Sequence, residues 1–240
     1  MNPVKFLYPL TKYLLSKLGV LSFLKKIRIL ADNGRVPAAM MRFPTYSPNI
    51  NTLLVSERDY FRYATIGLAI QRILSDEIKG SLAEAGVYRG DISRFIHQFA
   101  PERTYYLFDT FEGFPRQDLD PDASEDNRFK DTTVEEVLQN IGDTRNIIIK
   151  KGRVPDTFQG LEHEQFAFVL LDLDLYKPTI SSLGFFYSRL VKGGYLIIHD
   201  YNSPESNWGC NRAVNEFMRD KAEKIIEIAD AGGSVLFRKL

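Results

Sequence analysis

From residue 81 onward the chain alternates between two hydrophobic rhythms. Short, nearly unbroken apolar runs, SLAEAGV (81–87), TYYLFD (104–109), NIIIK (146–150), QFAFVLLD (165–172) and GGYLIIHD (193–200), are separated by segments with helical patterning at 91–100, 133–140, 178–190 and 210–223. The runs read as strands buried on both faces, and the segments between them as the helices that cover those faces. This predicts an α/β fold on a parallel sheet. Upstream, Tyr63, Ile66, Ile70, Ile73 and Leu74 mark a further helix over 57–78, with Ser56 as its cap. Downstream, KIIEIADAGGSVLFRKL sets two strand-like runs around AGG, a hairpin signal. Five parallel strands closed by a hairpin give a seven-stranded sheet whose last strand runs antiparallel.

The first fifty residues follow another pattern. Phe6, Leu10, Leu14 and Leu18 recur at spacings of four with lysines between them, which reads as one or two basic amphipathic helices over 3–30. The stretch 31–56, with Pro37, Pro44 and Pro48, reads as a long connection or lid. The expected division is an N-terminal basic helical extension over 1–55 and a single domain over 56–240. A formal net charge of zero gives a nucleic-acid role no support, but residues 1–42 hold eight basic groups against one acid, Asp32. Such helices cover their own domain, join a second subunit, or make a peripheral contact with an anionic membrane. Lysines interrupt the apolar run before the ~20 residues a membrane span needs, and no cleavage pattern of a secretory signal follows. The single cysteine, Cys210, fits a reducing compartment, so a cytoplasmic location is expected.

The candidate chemistry lies at the ends of the predicted strands. Two carboxylates, Asp172 and Asp174, close the fourth run. If the strand continues through them, its alternation turns both to one face, at the carboxyl end where open α/β sheets bind ligands. After the first strand, Gly86 and Gly90 in EAGVYRGD let the backbone turn and approach a ligand. Their G-x-x-x-G spacing does not match the G-x-G-x-x-G of a dinucleotide loop. Glu84 would repel a pyrophosphate and suits a cationic ligand such as S-adenosylmethionine, or it is a solvated acid beside a turn. Asp109 ends the second strand nineteen residues after Gly90, where an acid can accept hydrogen bonds from a ribose diol. His97 reads as surface or packing, and His163 falls in a loop. Tyr176, Tyr201 and Trp208 either stack on a sugar or pack in the core.

The pieces EAGVYRG, LFDTFEGFP, LDLDLYKPT, LVKGGYLIIHDY and GCNRAVNEF, in this order over residues 56–240, resemble the macrocin O-methyltransferase (TylF/MycF-like) family. Its members are S-adenosylmethionine-dependent enzymes that methylate sugar hydroxyls on natural products. The resemblance implies a Rossmann-like class I methyltransferase fold. By similarity, Glu84, Gly86 and Gly90 line the methionine part of the cofactor and Asp109 holds the ribose hydroxyls. Thr110, Phe111 and Gly113 belong to the loop that shapes the pocket, where Phe111 and Phe114 either line it or pack in the core, and Gly152 lies near the adenine. The family also uses a divalent metal, normally magnesium. Asp172 matches a metal ligand, Asp174 matches the proposed base, and His199 and Asp200 complete the set.

Family members usually end strand five in Asp-Asp-Tyr, whereas this chain has His199, Asp200 and Tyr201. An imidazole among the ligands weakens magnesium or shifts preference toward manganese or zinc. His199 is then a ligand, a base or donor to the substrate, a sign of a lost metal, or a histidine merely satisfied at a strand end. The implied activity is metal-assisted O-methylation of a sugar or glycosylated metabolite by a homodimer. The alternatives are methylation of a phenolic or catechol-like hydroxyl, and a cofactor-binding homologue without turnover.

Overall fold

In the computed structural model, which describes residues 59–122 and 124–240, the helical spacing upstream of the sheet winds Tyr60–Ser75 (α1) with Tyr63, Ile66, Ile70 and Ile73 buried. Leu74 is exposed, since one step past Ile73 turns it off that stripe. The Asp59 carboxylate accepts the Arg62 backbone N–H at 3.4 Å and caps the helix. Ser56 and the expected extension over 1–55 lie outside the described residues.

The apolar runs form β1 (Ser81–Ala85), β2 (Tyr105–Asp109), β3 (Ile147–Lys151), β4 (Phe166–Leu171) and β5 (Leu190–Ile198). Between them lie α2 (Asp91–Phe99), α3 (Val134–Ile141) and α4 (Tyr176–Tyr187). After β5 come α5 (Gly209–Met218), β6 (Ile226–Ile228) and β7 (Ser234–Arg238). The sheet order is β3-β2-β1-β4-β5-β7-β6. β1 to β5 pair in parallel, and β7 runs antiparallel between β5 and β6. β5 begins before the Gly193–Gly194 pair because its register against β4 slips there, from Phe166 opposite Leu190 to Phe168 opposite Tyr195. A glycine pair tolerates that irregularity.

Alternation along β1 assigns its two faces. Ala83 and Ala85 belong to the core that contains Phe108, Phe158, Phe166 and Phe186, while Leu82 and Glu84 point the other way, where Ser93 of α2 meets Glu84. α4 packs on α5; on the other side α1 packs on α2 and α2 on α3. Phe186 is fully buried, with the rings of Phe108, Phe158, Phe166 and Phe185 edge-on to it. Truncating it to alanine would cost about 3–5 kcal/mol. β1 and β4 are neighbours whose onward connections leave in opposite directions, and this reversal opens a crevice at their carboxyl ends. Among the described residues no helix is long and apolar enough to cross a membrane.

Candidate active site

The crevice is a cleft of about 370 Å³. Its walls include Glu84, Gly86, Thr110, Gly152, Asp172, Asp174, His199 and Asp200, all singled out from the sequence. Two expected cofactor residues are not in the wall. Gly90 starts α2 with φ +77, and a Cβ there would stand 2.9 Å from Val137 of α3, so its small size serves helix packing. Phe111, at φ +53, is buried outside the cleft, whereas Gly113 of the same loop lines it as expected, together with Phe114.

Asp172 and Asp174 do meet in one space, but not by strand alternation. β4 ends at Leu171, and the cleft wall takes Leu173 as well as both acids. Asp174 is held at φ +58, a left-handed conformation that aims the chain away from the pleat. The same device recurs after three other central strands, at Tyr88 (φ +49), Phe111 (φ +53) and Asp200 (φ +56). Each such residue costs on the order of 1–3 kcal/mol and persists only where its surroundings fix it. Close packing does that here. A Cβ on Gly86 would lie 1.8 Å from the Asp172 carbonyl oxygen, and one on Gly209 would lie 2.6 Å from that of Asp174. Neither α1 nor the opening of α5 was legible as part of the site, because these contacts join segments far apart in sequence.

The Asp109 carboxylate staples the glycine turn. Oδ2 accepts the backbone N–H groups of Val87 (2.7 Å) and Tyr88 (2.9 Å), and Oδ1 accepts that of Phe111 (2.7 Å). Glu84 is 1% exposed, which removes the solvated reading. Its Oε2 accepts hydrogen bonds from Ser93 (2.8 Å) and from the Tyr105 hydroxyl. Burial pushes its carboxyl up to about 8 despite those two donors, and the charges of Asp172 and Asp109 add to the rise.

His199 sits between two carboxylates. Nδ1 is 3.1 Å from Asp172 Oδ1 and 3.1 Å from Asp200 Oδ2, while Nε2 is 2.7 Å from the Ala231 carbonyl oxygen. A carbonyl only accepts, so Nε2 carries a hydrogen and Nδ1 is the atom turned to the acids. Burial opposes the imidazolium, but Asp172 and Asp200 outweigh it and hold the ring's pKa well above its ordinary value. Burial likewise opposes ionisation of Asp172, yet His199 and Arg62 keep it below the usual range. Arg62 Nη1 reaches Asp172 Oδ2 at 3.1 Å.

The three donor atoms of Asp172, His199 and Asp200 lie within 4.8 Å of one another. A cation about 2.1 Å from each donor in octahedral geometry sets neighbouring donors about 3.0 Å apart, close to the two 3.1 Å separations. The set therefore fits a divalent ion, and its nitrogen favours one more tolerant of imidazole than magnesium. A second grouping, Asp59, His199 and Asp230, shares the same ring. There Asp230 is already used by the Ser234 N–H and hydroxyl, each at 2.6 Å.

Asp174 faces the cleft beside this set. Burial, with Asp172 and Asp200 adding repulsion, pushes its carboxyl up to about 8; Arg128 and His199 pull the other way. Arg128 also escaped the sequence reading. It grips Asp126 at 2.8 Å and Glu205 at 2.6 Å, and lies 3.7 Å from Asp174 Oδ1. The rings of Phe114 and Phe129 flank it. Of the remaining candidates, His97 is buried with its ring stacked near Tyr105, and Tyr201 is buried with its hydroxyl on Asn215. Burial pushes the Cys210 thiol up, away from any nucleophilic use.

The family model described as macrocin-O-methyltransferase (TylF) matches residues 47–239. The chain belongs to this S-adenosylmethionine-dependent methyltransferase family. It is 28% identical over 184 residues to mycinamicin III 3''-O-methyltransferase of Micromonospora griseorubida, an alignment that spans 68% of this chain and 70% of the relative. It is also 28% identical over 172 residues to a tetracenomycin rhamnosyl 4'-O-methyltransferase of Streptomyces olivaceus, spanning 65% of this chain and 64% of that one. The O-methyltransferase NovP superposes with a TM-score of 0.64 at 25% identity, over 75% of this chain and 80% of that one. The calicheamicin methyltransferase CalS11, at 19% identity and a TM-score of 0.62, shares the fold. As a TylF-family member the chain is an O-methyltransferase, with the seven-stranded sheet that its sequence predicts.

Proposed function

We propose that this TylF-family enzyme methylates a hydroxyl of a sugar on a glycosylated metabolite, with Asp174 as general base. The observation that carries the reading is the convergence of Asp174, Asp172, His199 and Asp200 beside the Gly86 turn and Glu84 in one cleft. Relatives whose names specify glycosylated metabolites support the acceptor class.

In the reaction the acceptor oxygen forms a bond to the methyl carbon as the carbon–sulfur bond breaks, leaving S-adenosylhomocysteine and a methyl ether. The hydroxyl proton passes to an Asp174 oxygen. With its carboxyl raised to about 8, Asp174 is ionised in a minority of molecules at pH 7 and in most above pH 8, and that ionised form is a stronger base than an ordinary carboxylate, which suits a weakly acidic sugar hydroxyl. Glu84 would meet the cofactor's ammonium group. Asp109 would hold the glycine turn in shape while its one remaining acceptor site, on Oδ1, would meet the ribose. Asp172, His199 and Asp200 would hold a divalent cation, which when bound would lower the pKa of a coordinated hydroxyl. Arg62 fixes Asp172, and the Ala231 carbonyl fixes the tautomer of His199.

The test is a transfer assay on a panel of glycosides with labelled S-adenosylmethionine, run with and without a chelator. Asp174→Asn is expected to lower kcat by about 10²–10⁴-fold while leaving the calorimetric affinity for S-adenosylhomocysteine unchanged. Unchanged turnover in that variant removes Asp174 as the base. Unchanged turnover in chelator removes the metal.

A further inference from the structure

Glu84 is held by two hydroxyl groups that come from different elements, and both fall on the same oxygen. In the pairing of β1 with β2, Tyr105 stands opposite Leu82 and Leu107 opposite Glu84. Side chains two apart on a strand share a face, so Tyr105 points to the Glu84 side of the sheet from one pleat further back, and its long ring carries the hydroxyl forward to Glu84 Oε2. From α2, the Ser93 hydroxyl donates to the same Oε2 at 2.8 Å. His97, one turn after Ser93, lies stacked near the Tyr105 ring, with centroids 6.5 Å apart.

Ser93 and Tyr105 are fully buried, so neither hydroxyl is free to turn to solvent. A carboxylate oxygen has two acceptor positions, and on Oε2 both are filled. Among the described residues no donor reaches Oε1, yet Glu84 stands in the wall of the cofactor cleft. A donor on a ligand in that cleft therefore meets Oε1. An apolar side chain at this position would pack without the penalty that burial imposes on a carboxylate, so packing alone gives no reason for an acid here. Two hydroxyl donors offset part of that penalty for the ionised form, and a cation at the free oxygen offsets the rest.

We propose that Tyr105 and Ser93 are positioning residues for the cofactor: by filling Oε2 they leave Oε1 of Glu84 as the acceptor for the ammonium group of the methionine part. The inference rests on the O-methyltransferase reading, in which Glu84 meets that ammonium, and adds the two hydroxyls that prepare Glu84 to do so. Neither Tyr105 nor Ser93 is in the cleft wall, so both act through Glu84. Their effect is confined to the amino-acid end of the ligand. A ligand with the same adenosine and thioether but no ammonium group gains nothing from them.

The experiment is calorimetry on the full chain with two probes: S-adenosylhomocysteine, which carries the ammonium group, and 5'-methylthioadenosine, which lacks it. Tyr105→Phe and Ser93→Ala are each expected to weaken S-adenosylhomocysteine about tenfold, as loss of a hydrogen bond to a charged group does. Both should leave methylthioadenosine at the affinity of the parent chain. Equal weakening of the two probes would make the hydroxyls merely structural and overturns the proposal, as does undiminished S-adenosylhomocysteine binding in both variants. Should Tyr105→Phe fail to fold by circular dichroism, Ser93→Ala, which removes a single oxygen, carries the test alone. Glu84→Gln separates this proposal from the reading beneath it. If that variant loses S-adenosylhomocysteine selectively and the hydroxyl variants do not, only the positioning role falls. If it binds S-adenosylhomocysteine as tightly as the parent chain, the placement of Glu84 at the ammonium falls and the proposal with it. Failure of the parent chain to bind S-adenosylhomocysteine would sink the methyltransferase reading itself.

Discussion

Glu84 is the residue whose state the cofactor should change. With its carboxyl raised to about 8 by burial, it is protonated at pH 7 in the cofactor-free protein, whereas in the unfolded chain it ionises near its ordinary value of about 4.3. The folded state therefore binds one more proton between those limits, and its contribution to stability is lost as pH rises through 8. An ammonium group placed against Glu84 reverses the preference and drives the proton off. Calorimetry of S-adenosylmethionine binding at pH 7 in two buffers of different ionisation enthalpy should show proton release, and Glu84→Gln should abolish it. Equal heats in both buffers for the parent chain would mean that Glu84 does not receive the cation. Gly86 is the sharpest steric case at this scale. Its Cβ would lie 1.8 Å from the Asp172 carbonyl at a φ of +90, so Gly86→Ala should cost about 3 kcal/mol or more in chemical denaturation.

Among the elements, the β6–β7 hairpin does more than close the sheet. Its turn delivers the Ala231 carbonyl to His199 Nε2, and Gly232 lies so close that a Cβ would stand 2.4 Å from Asp200 Oδ1 and 3.2 Å from His199 Cε1. Outer contacts of this kind set ligand orientation and are worth about 10–100-fold in metal affinity. Gly232→Ala should therefore weaken Mn²⁺ binding, followed by paramagnetic resonance, by at least about tenfold. Gly160→Ala is the control. It has a similar φ of +83 with nothing within 4 Å of its Cβ, and should cost about 1–2 kcal/mol of stability without touching metal affinity. Equal Mn²⁺ affinity in both variants would detach the hairpin from the proposed metal set.

For the whole molecule, the cleft lies at the β1/β4 reversal, between strands that carry the fully buried core. A ligand seated there is coupled to global unfolding. At a concentration 100 times its Kd, S-adenosylhomocysteine should add about 2.7 kcal/mol, which for a chain of this size is a rise in Tm of about 5–10 °C. NAD should give none. A shift with NAD and none with S-adenosylhomocysteine would contradict the cofactor assignment.

The strand and helix order, the antiparallel hairpin and the roll of acids at the strand ends were all legible in the chain, because hydrophobic period and turn chemistry are local properties. Asp172 and Asp174 show where that reading stops. Their separation by one residue predicted a shared face, and they do share the cleft, but through a left-handed turn after Leu171 rather than a continued strand. Gly90 and Phe111, placed by motif at the cofactor, lie outside the cleft wall, Gly90 against Val137 of α3 and Phe111 buried. For Arg62, Arg128, Gly209 and Gly232 no local signal pointed to their contacts in the site. Those contacts, with Asp172, Asp174 and Asp200, join positions tens of residues or more apart, and only chain folding brings a guanidinium or a missing Cβ against them. Sequence thus determined which chemical groups reach the end of the sheet. Tertiary packing decided which of them are buried together, and burial is what turns ordinary acids and an imidazole into a site with altered charge.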